Sequence, residues 1–235
     1  VVAVSFDRGS RAEETAAAPA TGEADLSPVE LLRLARARGN ELTAGSILQE
    51  TTVRFGGSTI RSEVQIEFDG GLTYSRTRTG VAVIESVFDG QMACVRTGNR
   101  AWRARDTKSA GQRPPRNLNL GTARRPEASV EQLGDAIEDG AVYLRLRLTP
   151  DFDDVVDVVR ITGVTGDAAT PVYESVRVEL LIDPDELLIR KATITYDYDV
   201  RGLAARSSTL LRLTNHDSPG VFPRDLPLTC QPQVA

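Results

Sequence analysis

Between Ile60 and Phe68 the chain alternates, with Ile60, Val64, Ile66 and Phe68 on one side and Arg61, Glu63, Gln65 and Glu67 on the other. A period of two belongs to a strand with one buried and one wet face. The same alternation returns in Val142, Leu144, Leu146 and Leu148, with Tyr143, Arg145 and Arg147 between them, and in Val176, Val178, Leu180 and Ile182. It continues in Ile194, Tyr196 and Tyr198, and in Leu211 and Leu213. Asp69-Gly70-Gly71, Thr79-Gly80, Asp89-Gly90, Asp183-Pro184-Asp185-Glu186 and Arg201-Gly202 supply turns. With further strands near 72–78, 81–88 and 91–96, these hairpin-length links predict antiparallel neighbours, about ten or eleven strands in all.

Helical signals are few. Ser27 is placed as an N-cap, Pro28 at the first helical position and Glu30 at the acid of a capping box, with Leu26 and Leu31 as a hydrophobic staple. The helix is expected to run to about Arg38 and stop at Gly39-Asn40. A second short helix is expected from Ser129 to Gly140, on a capping-box pattern with Gln132 and on Leu133 and Ile137 one turn apart. Residues 5 to 25 read as a flexible tether and 103–129 as a long loop rich in Arg, Pro and Gly, leaving 26–235 as a single domain. The fold class is α+β and mainly β: a long, curved antiparallel meander with two or three helices over its apolar face. Two short helices cover such a face only in part, which argues for a ligand cavity. Its candidate lining is Ile60, Val64, Ile66, Phe68, Val142, Leu144, Leu146, Val176, Val178 and Leu180, with a dry core as the alternative.

Charge and composition narrow the function. A net charge of −5 over 235 residues, with a pI near 5.1, argues against a nucleic-acid binder. Yet residues 96 to 125 hold nine bases against one acid, a net of +8 that leaves −13 for the rest. Arg100, Arg103, Arg105, Lys108, Arg113 and Arg116 form the centre of this stretch, suited to an anionic membrane surface or an acidic membrane-protein partner, or simply to solvent. Cys94 and Cys230 have no zinc spacing and read as a long-range disulfide formed in an oxidising compartment, or as two buried thiols. The only histidine, His216, reads as a turn residue, and Asp151, Asp153, Asp154 and Asp157 lack the glycine and distal glutamate of a calcium loop. No catalytic site, metal site or cofactor is expected. Val1-Val2-Ala3-Val4 reads as the end of a signal or anchor segment or as a mere boundary.

The helix SPVELLRLARA, the hairpins around FDGG and VFDGQMACVRTGNRAW, and above all VYESVRVELLIDPDELLIRKATITYDYDV followed by a last strand resemble the bacterial lipoprotein-localisation superfamily. Over roughly residues 26 to 228 the resemblance implies an eleven-stranded half-barrel whose concave face is closed by helices and holds acyl chains. It implies an extracytoplasmic, membrane-tethered module that binds a lipid or an acylated protein. The alternative is a protein-interaction module of the same fold, a sensor or an accessory subunit of a membrane complex.

Overall fold

A computed structural model describes residues 26–89, 92–106, 129–149, 172–200 and 202–226. The tether, the Asp151 cluster, most of the Arg-rich loop and Cys230 lie outside them.

Helix α1 spans Pro28–Glu41, and the Ser27 hydroxyl accepts the Glu30 amide at 3.2 Å as an N-cap, while the Glu30 carboxylate, expected to complete a capping box, pairs with Arg33 one turn on. It turns Leu31, Leu32, Ala35 and Gly39 inward. The expected stop at Gly39-Asn40 is overrun: Gly39 shares the buried side with Ala35, where a small residue lets the helix approach the sheet. The helix ends instead where Leu42 turns extended.

Eleven strands follow: β1 Ala44–Phe55, β2 Ser58–Asp69, β3 Leu72–Thr79, β4 Ala82–Phe88, β5 Met92–Thr97, β6 Arg103–Asp106, β7 Ser129–Glu138, β8 Ala141–Thr149, β9 Val172–Asp183, β10 Leu188–Val200 and β11 Leu203–Thr214. They form one curved antiparallel sheet in the order β6-β5-β4-β3-β2-β1-β11-β10-β9-β8-β7. Among the described residues α1 is the single helix. The helix expected from Ser129 is strand β7. A bulge between Gln132 and Asp135, with Gly134 at φ 85°, adds one residue to the strand and stretches its period from two to three. That insertion places Val130, Leu133 and Ile137 at an apparent helical spacing. The loop expected from Arg103 opens with β6.

Residues opposite one another across the ladders share a face, so the registers define two surfaces. The concave face, under α1, carries Ile47, Ile66, Phe68, Leu146, Leu148, Val178, Leu180, Ile182, Ile194, Tyr196 and Leu211, all buried, around Leu31, Leu32 and Ala35 of the helix. A second, smaller cluster lies on the opposite face, where Tyr74, Val87 and Cys94 are covered by Leu226, Phe222 and Trp102. The expected wet side of β2 is therefore wet only in part: Glu67 is buried and accepts hydrogen bonds from Ser46 and Gln65.

Candidate functional site

The candidate lining residues fall on one face, in rows that run across the strands. One row joins Leu146, Leu180, Ala192, Leu211, Gln49 and Val64, and the next joins Leu148, Val178, Ile194, Thr209 and Thr51. A third joins Val176, Tyr196, Ser207, Val53 and Ile60, and on the other side Leu144 lies opposite Ile182. Ile66, Phe68, Leu146, Val178 and Leu180 are fully buried, and Val64, Leu144 and Val176 pack half-buried against them. Ile60 and Val142 belong to the same face but are 55% and 51% exposed, because they end the rows at opposite ends of the sheet. Periodicity gives a face and not a depth, so these two do not join the buried set.

The apolar face is interrupted in its middle. Gln49 and Thr51 on β1, Ser207 and Thr209 on β11 and Thr73 and Ser75 on β3 are all buried. The Thr51 and Thr209 hydroxyls lie 3.1 Å apart, Gln49 Nε2 donates to Thr51 Oγ1 at 3.4 Å, and the Ser75 and Ser86 hydroxyls meet at 2.7 Å. Among the described residues the Ser207 hydroxyl has no partner. Apolar alternation alone does not mark these polar positions. The signal was present in Ser207 and Thr209, which are in phase with Leu211 and Leu213.

The basic stretch is divided. Arg100 and Arg103 are exposed, β6 holds Arg105, and Lys108, Arg113 and Arg116 lie outside the described residues. Arg96 is neutralised on the outer face, where it bonds Glu85 at 2.5 Å, pairs with Asp225, and lies 4.6 Å from the centre of the Trp102 ring. Tyr74 donates to the same Glu85 carboxylate at 2.6 Å. The Arg96 hydrogen bond holds Glu85 below the usual carboxylate range against its burial, while burial and the adjacent carboxylate push the Tyr74 hydroxyl up.

His216 is tied down as a turn residue would be. Its Nδ1 faces the Arg190 guanidinium and its Nε2 lies 2.9 Å from Glu186, so the network joins the end of β11 to the β9–β10 turn. Among the described residues no cluster of His, Cys, Asp or Glu could hold a metal ion, and no helix is long and apolar enough to cross a membrane. A groove of about 610 Å³ beside the β1–β2 turn is lined by Arg54, Thr59, Ser175, Asp197 and Arg206 together with Phe55, Ala204 and Ala205.

No protein-family model and no curated protein matches the sequence. The fold does have relatives among solved structures. LprF from Mycobacterium bovis matches at 12% identity and a TM-score of 0.52, over 84% of this chain and 96% of that one. The Mycobacterium tuberculosis lipoprotein LppX matches at 14% identity and a TM-score of 0.47, over 83% and 98%. The Pseudomonas aeruginosa MucA/MucB complex matches at 16% identity and a TM-score of 0.39, over 88% of this chain and 64% of that one.

Proposed function

We propose, from the half-barrel fold that this chain shares with the lipoprotein-localisation superfamily, that it is a non-enzymatic extracytoplasmic binding module for a lipid or for the acyl chain of a lipoprotein. The observation that carries this reading is the concave face itself. Its buried apolar rows extend over β8, β9 and β10 and onto β1 and β2 as one continuous hydrocarbon-like surface beneath α1. An acyl chain laid along the rows gains about 0.8 kcal/mol for each methylene withdrawn from water, without any covalent step. Cys94 and Cys230, joined as a disulfide, suit an oxidising compartment outside the cytoplasm.

Native mass spectrometry of protein purified from a bacterial envelope, followed by organic extraction, tests the reading. An acyl lipid recovered in stoichiometric amount is the expected result. A protein that arrives empty and takes up no lipid from micelles would overturn lipid carriage and leave a protein partner as the occupant of the face.

A further inference from the structure

Ser207 sits in the centre of the sheet, on the concave face, between Tyr196 of β10 and Val53 of β1. It is 0% exposed, and among the described residues its Oγ has no hydrogen-bond partner. Two residues along β11, Thr209 is equally buried and joins Thr51 and Gln49 in a hydrogen-bonded string. A buried hydroxyl without a partner destabilises a fold, and nothing in the strand demands one here, because Ala205 holds the neighbouring position of the same face. The feature is polar yet uncharged, with Tyr196 and Val53 directly beside it and Ile194 on the diagonal. A charged head group there would lose its hydration without a counter-ion, and a plain hydrocarbon would leave the hydroxyl unpaired.

Building on the acyl-binding reading, we propose that Ser207, supported by the Thr209–Thr51–Gln49 string, is a hydrogen-bonding subsite for one uncharged oxygen of the bound amphiphile, an ester carbonyl or hydroxyl lying within its hydrocarbon part. The Ser207 hydroxyl donates to that oxygen. The string beside it offers further hydroxyls to the same polar segment, and the apolar rows take the chains on either side. The subsite sets the register of the ligand along the face and discriminates against chains that carry no oxygen at that position.

Displacement of the fluorescent dye anilinonaphthalene sulfonate by methyl palmitate and by octadecane, with wild type and Ser207→Ala side by side, tests this. In wild type the ester should displace the dye at about a tenfold lower concentration, the value of one hydrogen bond to a buried group. In Ser207→Ala the two should become equal, with octadecane unchanged and the melting temperature unchanged or raised, since an unpaired hydroxyl has been removed. Thr209→Val, a near-isosteric change, should narrow the preference in the same direction and serves if Ser207→Ala folds poorly. Equal displacement in wild type, or a preference that survives both variants, overturns the subsite and leaves lipid binding standing. Failure of both compounds to displace the dye overturns the subsite together with the reading beneath it.

Discussion

Arg96 shows what a charge count along the chain does not contain. It is one of nine bases in a stretch read as a surface patch, yet β4 and β5 pair so that Glu85 lies directly opposite it, and Asp225 reaches it from the far end of the sequence. Register, set by strand pairing, decides which charges meet. The consequence is a dependence of stability on acid. Glu85 is held below its ordinary value of 4.5 chiefly by Arg96, Asp197 is lowered chiefly by Arg206, and at Glu179 burial pushes upward but Arg145 and Arg147 prevail. A carboxyl whose folded value lies below its unfolded one binds fewer protons when folded, so its contribution is complete above the unfolded value and is lost as pH falls through the folded one. Urea midpoints should therefore stay level down to about pH 5 and decline below it. Glu85→Gln should remove about 2 kcal/mol at neutral pH, because Arg96 and Tyr74 lose their shared partner on a largely buried surface, and should make the acid decline shallower. A variant with the stability and the acid slope of wild type would show that the cluster contributes neither.

At the scale of elements, most of the fold was legible, and the failures share a cause. Strands with one wet face announce themselves through period two, and Ser27-Pro28-Val29-Glu30 announces a helix start through the groups that satisfy its free amides. Strand β7 escaped because a single inserted residue changes its period locally. Ser129 and Gln132 supplied a capping box, and Leu133 and Ile137 a helical spacing, while the information that selects a strand lies in the pairing with β8, such as Val130 opposite Leu148 and Gln132 opposite Leu146. Glycine at 134 reads equally well as a weak helical residue or as the pivot of a bulge. The backbone distinguishes them, for Gly134 has φ 85° and an added Cβ would meet nothing within 4 Å. Replacing it therefore tests conformation without crowding. Gly134→Ala should lower stability by about 1 kcal/mol and Gly134→Asn by less, since asparagine tolerates the left-handed region better. Equal urea midpoints for all three proteins would mean that the bulge does not need its glycine.

In the whole molecule, every strand lies beside its sequence neighbours except β6 and β7, which occupy the two edges, while the first and last strands meet in the middle. This is the cyclic order of an up-and-down barrel cut at one seam. With eleven antiparallel strands the edge strands run in the same direction, so antiparallel pairing cannot close the seam and no hairpin can join β6 to β7. Local patterns give neither the β1–β11 pairing nor the cut, because both depend on contacts between opposite ends of the chain. The same distance separates Cys94 from Cys230. Cys94 is 1% exposed on the outer face of β5 and belongs to the cluster that Leu226 caps, and Cys230 follows Leu226 by four residues, within about 14 Å of extended chain. A disulfide between them would fasten the segment that holds Phe222 and Leu226 over the sheet, and by the chain-entropy argument a bridge across so long a loop stabilises by about 4 kcal/mol. Peptide mapping without reductant should recover the two cysteines in one linked fragment. Reductant should lower the melting temperature of wild type and leave that of Cys230→Ala, already lower, where it is. The Arg96–Asp225 pair and the Phe222 and Leu226 contacts would remain in the reduced protein, so the half-barrel should loosen at this edge before it unfolds. Two thiols titrating in the unreduced, denatured protein would remove the bridge, and with it the argument from cysteine to an oxidising compartment.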